Sequence, residues 1–276
     1  MSVGVPGPVS INVPTRRRLQ FTVTTRTPLH ATKLPLRTWL MGLWFILQSD
    51  KGISSVRLAE ALGVSQPTAW RMGHVLRLLV TRDHPLDGTV EIDDFYFGGK
   101  PRRDPDRPKL GRGRKGQPRT TKTPAMAVVQ RPADLTAGAP AGEARATVVA
   151  DLSLNEAERV LEATVDVGAH LMSDEWKAFV AVGTVFRAHD TVRHSEREYA
   201  RGDVHANSAE GFNDRVRRTI AGVFHHISPR LADLYFTEIG FLWSQRTVAK
   251  QAMRRTRKGR SVLQTVWSRI PPALQL

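Results

Sequence analysis

The sequence predicts an α/β protein, with a mixed five-stranded sheet and flanking helices preceded by a small all-α domain. Three observations predict it. After an irregular start, apolar residues recur at helical spacing up to about residue 80. From Thr89 the pattern changes to alternating runs rich in β-branched and aromatic residues. Beyond these runs, helical and strand patterns follow one another, which is typical of an α/β domain.

Composition narrows the function classes. The 276 residues suffice for a full hydrophobic core, and 41 Lys and Arg against 26 Asp and Glu leave a net charge of +15. Such a surplus favours a polyanionic partner, nucleic acid first and an anionic membrane surface second. The most apolar window, Trp39–Leu47, is about nine residues long, against the roughly 20 that span a bilayer. We therefore expect no membrane association.

The absence of cysteine excludes disulfides, cysteine zinc sites and thiol catalysis. The N-terminus does not resemble a signal peptide, because the basic cluster Arg16–Arg18 is followed by polar sequence. We expect a soluble cytoplasmic protein that binds DNA or RNA.

The first elements are helical. Residues 1–32 have no periodicity and predict a flexible arm, whereas apolar crowding over Leu36–Gln48 predicts a buried helix. Two further helical patterns meet around residues 62–64. The first would turn inward the apolar residues Val56, Leu58, Ala59 and Leu62. The second would begin at Ser65, a good N-cap residue, with a proline tolerated in its first turn.

The spacing of these two helices is typical of a helix-turn-helix. Ala59 stands four residues before Gly63, which can take the positive φ of the turn. An ordinary helical hairpin is the alternative. As a DNA-binding domain over residues 33–86, it would present Gln66, Thr68 and Arg71 to the major groove.

The second half predicts a catalytic domain over residues 87–245. A strand ends near Gly98, and a loop at 100–122 follows that contains ten Lys or Arg, four Pro and three Gly. Phosphate contact is expected from this loop, foremost from Arg112, Arg114 and Lys115, although a solvated linker is the alternative. Then come two strands, a helix capped by Asn155, a strand, a helix, a strand (TVFRAHDTV) and a helix from about Asn207. The order β-β-β-α-β-α-β-α is that of the ribonuclease H-like fold.

Acidic residues occupy three informative places in that order. Asp93 lies on the first strand, Asp174 at the end of the fourth, and Glu210 in the last helix. Asp174 alone has a structural explanation in a turn, and Glu210 alone has one at a helix N-terminus, whereas an acid such as Asp93 is unusual in an apolar strand. Together they predict a site in which carboxylates hold two divalent ions, Mg²⁺ or Mn²⁺, for phosphodiester displacement.

At these residues the chain resembles DDE-type transposases of bacterial insertion sequences, in the branch with a helix-turn-helix ahead of a ribonuclease H-like domain. The first family motif is similar to VEIDDFYFGGK at Val90–Lys100, the second to SDEWKAF at Ser173–Phe179, and the third to VHANSAEGFNDRVRR at Val204–Arg218. Downstream, GVFHHIS and LADLYFTEIGFLW extend the similarity, which runs from about Arg37 to Trp243.

The resemblance implies roles for individual residues. Asp93 and Asp174 would be metal ligands, with Glu210 or the neighbouring Asn207 as the third member. Arg217 would replace the family's lysine as a phosphate contact. Further residues would assist the site or bind DNA: Asp94, His194, His205, Arg218 and the basic tail at 246–276, chiefly Arg254–Arg260.

Several positions depart from the family pattern. The chain has no four-cysteine zinc ribbon, so it is either a short variant or truncated at its N-terminus. Asp94 stands where glutamate is usual, Asn213 replaces a tryptophan, and Arg217 has a planar fork in place of a point charge. These departures leave open an inactive copy.

The expected function is that of a transposase, which binds terminal inverted repeats, cleaves the DNA and joins the 3′-OH to a target. The expected partner is double-stranded DNA, and we expect a homo-oligomer on it because two DNA ends take part. The alternatives are a non-catalytic DNA-binding regulator and a ribonuclease H-like nuclease without strand transfer.

Overall fold

The computed structural model describes residues 24–98, 122–136, 138–192, 200–201 and 203–248. The chain divides into two compact units, Met1–Lys33 and Leu34–Leu276. In the first unit, residues 24–33 form successive turns, in which Thr27 N–H donates to the Thr24 carbonyl and His30 N–H to that of Thr27. The rest of the predicted arm lies outside the described residues, as do the loop from 99 to 121 and the tail from 249 onward.

Three helices open the second unit where the sequence predicts them: α1 (Leu36–Gln48), α2 (Ser55–Leu62) and α3 (Gln66–Leu79). The hydroxyls of Ser54 and Ser65 cap α2 and α3, and Gly63 between them has φ of 64°. The described geometry is therefore that of two helices joined by a tight left-handed turn.

One prediction for α2 is wrong. Leu58 and Ala59 are buried as expected, but Val56 is 55% exposed. Two residues correspond to about 200° around a helix, so Val56 lies on the side opposite to Leu58. An eight-residue helix that packs through one face leaves that side in solvent.

The sheet has five strands in the order β3-β2-β1-β4-β5, as the predicted mixed sheet requires. The first three pair antiparallel, whereas β4 is parallel to β1 and β5 is parallel to β4. The strands are β1 (Thr89–Phe97), β2 (Thr123–Gln130), β3 (Ala144–Val148), β4 (His170–Asp174) and β5 (Ala188–Val192). A short hairpin, β6 (Ala200–Arg201) and β7 (Val204–His205), follows them.

Four helices flank the sheet: α4 (Leu154–Thr164), α5 (Lys177–Val182), α6 (Asn207–Thr219) and α7 (Ala232–Ser244). Their order confirms the predicted α/β arrangement of a ribonuclease H-like domain. Two details were predicted wrongly. Ser153, not Asn155, caps α4 through its hydroxyl, and β5 begins only at Ala188 because Gly183–Val185 forms a 3-10 turn.

The core has one half on each side of the sheet. Val90 and Ile92 of β1 pack with α4 and α5, whereas Phe95 and Phe97 pack with α6 and α7. Because side chains alternate along a strand, the odd-numbered residues of β1 face α6 and α7. Asp93 is one of them.

A buried ion pair joins the first helices to the sheet domain. Arg77 of α3 lies 2.7 Å from Glu238 of α7, and both side chains are almost fully buried. Burial raises the pKa of Glu238, and the Arg77 guanidinium acts in the opposite direction. The guanidinium also lies 4.0 Å from the centre of the Tyr235 ring. Both parts therefore belong to one compact unit.

Among the described residues, no helix combines the length and apolar character that a membrane crossing needs.

Candidate active site

Two of the predicted acids lie at the end of the parallel strand pair. The ladder between β1 and β4 ends with Glu91 opposite Met172. Two residues further along each strand come Asp93 and Asp174, which therefore leave the sheet at the same level and on the same face. The backbone N–H of Trp176 donates to the Asp174 carboxylate over 3.1 Å and fixes its orientation.

Helix α6 brings the third segment to this point. Glu210, Asn213 and Arg217 lie three and four residues apart, so they share one face of the helix. The Nδ2 atom of Asn213 donates to Oδ2 of Asp93 over 2.7 Å. Asn213 is buried, and within the described structure its amide oxygen has no hydrogen-bond partner. Asn213 therefore joins α6 to the strand that carries Asp93.

The carboxylates influence one another electrostatically. Burial, followed by the charges of Asp94 and Asp174, raises the pKa of Asp93 to about 7, and Glu210 adds to the effect. The hydrogen bond from Asn213 acts in the opposite direction. Burial and the Asp174 charge raise the pKa of Asp94 to about 6, while the Arg217 guanidinium lowers it. Without a cation, the raised pKa lets Asp93 keep its proton up to about neutral pH.

A fully buried carboxylate that the sequence analysis missed fixes α6 against β1. The residue before the helix is Ala206, whose side chain cannot cap it. Glu91 does so instead, since its Oε2 accepts from the backbone N–H groups of Ser208 and Ala209 over 2.7 and 2.9 Å. These donors are among the unpaired groups at a helix N-terminus, where negative charge is also favoured.

Arg131 completes this buried network. Its Nε donates to Oε1 of Glu91 over 2.5 Å, and its other nitrogens reach the Asp203 carbonyl and both the ring and the carbonyl of His205. His205 lies 3.3 Å from Glu91. The predicted assisting residue His205 is therefore a member of the network that holds α6. The sequence already singles out Glu91 as a second acid in an apolar strand, two residues before Asp93 and therefore on the same face.

The remaining predicted residues have mixed surroundings. Arg217 is exposed, pairs with Asp214 over 3.4 Å and lies over the Phe95 ring, while Arg218 donates to the Asp214 carbonyl. Asn207 and Glu210 are exposed at the start of α6. His194, Arg112, Arg114, Lys115 and Arg254–Arg260 lie outside the described residues.

In α3, two of the three predicted groove-facing side chains have partners within the protein. Gln66 donates to the Ser55 hydroxyl over 2.8 Å, and the Thr68 hydroxyl lies 2.8 Å from that of Ser65. Arg71 is exposed.

The residues present fit a hard divalent cation in their chemistry. Carboxylate and amide oxygens are the donors that Mg²⁺ and Mn²⁺ prefer, and the repulsion among the acids is what a cation would relieve. Within the described part of the chain, however, no three His, Asp or Glu side chains lie as close together as bound ligands do. The amide oxygen of Asn213 is buried and has no hydrogen-bond partner in the described structure, so it is one further oxygen beside Asp93 that could bind a cation.

Comparison with known proteins agrees with the geometry. Residues 85–244, from just before β1 to the end of α7, match the model of the ISXO2-like transposase domain. Over 207 residues, 71% of this chain, it is 28% identical to an uncharacterized protein in transposable element ISH50 of Halobacterium salinarum. The match covers 66% of that relative, slightly less than two thirds of its length. The chain therefore belongs to the family of proteins with an ISXO2-like transposase domain.

Proposed function

We propose that this transposase binds the terminal inverted repeats of an insertion sequence, cleaves the DNA there and joins the freed 3′-OH to target DNA. Asp93, Asp174 and Glu210 carry the divalent-metal site. The observation that carries the proposal is geometric: Asp93 and Asp174 leave neighbouring parallel strands at one level, and Asn213, on the helix face that carries Glu210, donates a hydrogen bond to Asp93.

Divalent ions held by these carboxylates would supply charge stabilisation to the attacking and leaving oxygens of the displacement. Residues of the chain position the acids and contact the phosphate. Asn213 orients Asp93, and Glu91 fixes the start of the helix that carries Glu210. Arg217 places a permanent positive charge beside Asp94 and suits a phosphate contact.

Glu210 is supported over Asn207 as the third member of the site. Its charge contributes to the raised pKa of Asp93, and it shares a helix face with Asn213 and Arg217. Asn207, the first residue of α6, has no described contact with either aspartate.

DNA is the partner that the charge distribution favours. The segment from residue 99 to 121 adds many basic residues, and the strand ends on either side of it, Phe97 and Thr123, pair directly at the end of β1 that lies beyond Asp93. Both attachment points of this basic segment are thus at the end of the strand that carries Asp93 and Asp94. We further propose that the α2–α3 pair recognises the element ends and that an oligomer assembles on two of them.

A strand-transfer assay tests this function. A labelled oligonucleotide that carries one end of the element is incubated with plasmid DNA in Mg²⁺ or Mn²⁺, and joined products are counted. Wild type should give products, Asp93→Asn and Asp174→Asn should give at least about 100-fold less, and the exposed Asp151→Asn control should match wild type. Equal activity in all four proteins rejects the catalytic assignment. DNA binding without any cleavage favours a regulator or an inactive copy.

A further inference from the structure

A basic cavity lies beside the carboxylates, where β1 ends and α6 continues into the next segment. Its volume is about 250 Å³, and its polar lining comes from Tyr96, Lys122, Arg217, His225 and His226. Burial and the nearby Asp94 carboxylate raise the pKa of Tyr96, which connects the cavity to the acidic cluster. Among the described residues that line it, none carries a carboxylate.

The backbone at this cavity is strained. Helix α6 runs directly into a π-helix, Ile220–Phe224, which ends at His225 with φ of 58° and ψ of −43°. His226 N–H donates to the Phe224 carbonyl over 2.6 Å, so His225 is the central residue of a γ-turn of the rare, positive-φ form. A β-carbon makes that conformation costly. The two imidazoles are exposed, so burial of the histidines does not explain why the chain keeps it.

Strained backbone and π-helices of this kind occur preferentially at functional sites. Here the packing around the turn holds the strain in place. Phe224 packs edge-to-face against Tyr235 with ring centres 4.7 Å apart, and the Arg77 guanidinium lies over both rings. Ile227, which directly follows His226, is buried in the core. The two imidazoles are therefore presented to solvent by a rigid support.

The same turn also borders the first helices. His225 and His226 line a second cavity, of about 470 Å³, together with Arg57 of α2 and with Gln66 and Trp70 of α3. The histidine pair thus stands between the helices proposed to recognise DNA and the acids proposed to cut it. A DNA strand that passes from these helices to the acids would cross the turn at His225.

We propose that His225, His226 and Lys122 form a DNA phosphodiester-binding site, which holds the backbone of the strand on its way from α3 to the carboxylates. Phosphate oxygens accept hydrogen bonds from imidazole N–H and ammonium groups. In His225 the Nε2 atom would donate, because Nδ1 lies 3.1 Å from the Ala221 carbonyl. The described residues that line the cavity include no acid that would repel the phosphate. The inference rests on the proposed function, because it presumes that DNA occupies the neighbouring active site.

Disulfide trapping tests the position of the site directly. The chain contains no cysteine, so His226→Cys introduces the sole thiol. This variant is mixed with duplex DNA in which single phosphates carry a thiol tether, in a chelator so that no cleavage occurs. Arg187→Cys, at an exposed residue just ahead of β5, is the matched control. We expect trapping by His226→Cys at one or two adjacent phosphates, at least about 10-fold above the control; equal or position-independent trapping overturns the proposal.

Two substitutions separate binding from folding. His225→Gly removes the imidazole and also the strain, because glycine adopts positive φ freely. We expect a higher melting temperature together with about 5-fold to 10-fold weaker binding of the same duplex, a combination that a purely structural histidine would not produce. Lys122→Gln should reduce the slope of log affinity against log salt by about one, whereas Arg187→Gln should leave the slope unchanged.

The outcomes also distinguish this site from the proposed function. If wild type binds and joins DNA but His225→Gly and Lys122→Gln bind as tightly as wild type, only the histidine site is rejected. If wild type binds no DNA at all, both proposals fall.

Discussion

The amide nitrogen of Asn213 lies 2.7 Å from a carboxylate oxygen of Asp93, which joins the middle of α6 to the central strand. Asn213 is buried at the centre of the helix face that carries Glu210 and Arg217. An amide can donate to an acid and offer its oxygen to a further partner. Asn213 therefore places a polar amide, with one unpartnered oxygen in the described structure, against Asp93.

Asn213→Ala should destabilise the protein and raise the pKa of Asp93. Loss of the hydrogen bond leaves a partly buried acid with one donor fewer, which should cost about 1–3 kcal/mol. The pKa of Asp93 should rise further above about 7, because the hydrogen bond from Asn213 lowers it. Denaturant unfolding and carboxyl-carbon NMR titration measure the two effects. The exposed Asn155→Ala is the control; no change in the titration of Asp93 would contradict the proposed role of Asn213.

The raised pKa of Asp93 predicts how stability varies with pH. Between the ordinary pKa of 3.8 and about 7, the unfolded chain releases a proton that the folded protein retains. In chelator, the free energy of unfolding should therefore fall as pH rises through this window. The rise in the Asp93 pKa corresponds to roughly 4 kcal/mol as an upper bound.

Asp93→Asn removes that titration, so its stability should fall less between pH 4 and pH 8. Its melting temperature at pH 8 should exceed that of wild type, by about 2–4 °C for each kcal/mol recovered. Mg²⁺ should raise the melting temperature of wild type at pH 8 more than that of the variant. Identical pH profiles would show that Asp93 is not in a repulsive cluster.

Glu91→Gln tests how α6 is anchored. The substitution removes the charge that pairs with Arg131 and accepts two helix N–H groups, so we expect a loss of about 3–5 kcal/mol. Hydrogen exchange at Ser208 and Ala209 should accelerate more than exchange in α4. Glu60→Gln breaks an exposed pair with Arg57 and should cost less than about 1 kcal/mol. Equal losses in the two variants would rule out the anchoring role.

Arg77→Met tests the contact between the first helices and the sheet domain. It leaves Glu238 buried and unpaired, which should cost about 3–5 kcal/mol, and the loss should be smaller at low pH, where Glu238 is protonated. The double variant with Glu238→Leu should recover most of the stability. Urea unfolding at pH 5 and pH 8 measures the stability of the single and the double variant. A double variant less stable than Arg77→Met would contradict the role of Arg77 as the partner of buried Glu238.

Much of the fold was predictable because its signals are local. Strand alternation, helical periodicity and capping residues are properties of neighbouring positions, and they located β1, α1 and α6 well. The errors arose where local signals compete. Ser153 and Asn155 are both residue types that favour the N-cap position, and Ser153 occupies it. The residues Gly183–Val185 overlap a predicted strand but form a 3-10 turn.

The site was predictable only as three acidic positions in a familiar order. The cap of α6 by Glu91 joins residues 117 positions apart, and the contact of Asn213 with Asp93 joins residues 120 apart, so no local pattern announces either. The strained turn at His225 was equally hidden. A histidine pair in the sequence does not by itself indicate a positive φ.

The most direct measurement is metal rescue of Asp93→Cys in the strand-transfer assay. A thiolate is a poor ligand for Mg²⁺ and a better one for Mn²⁺, and the protein contains no other cysteine to confuse the result. If Asp93 holds a catalytic ion, activity in Mg²⁺ should fall at least about 100-fold and return at least about 10-fold on replacement by Mn²⁺. The Asp151→Cys control should behave as wild type in both metals. Equal loss of Asp93→Cys activity in both metals, or wild-type activity in Mg²⁺, would contradict a metal-binding role for Asp93.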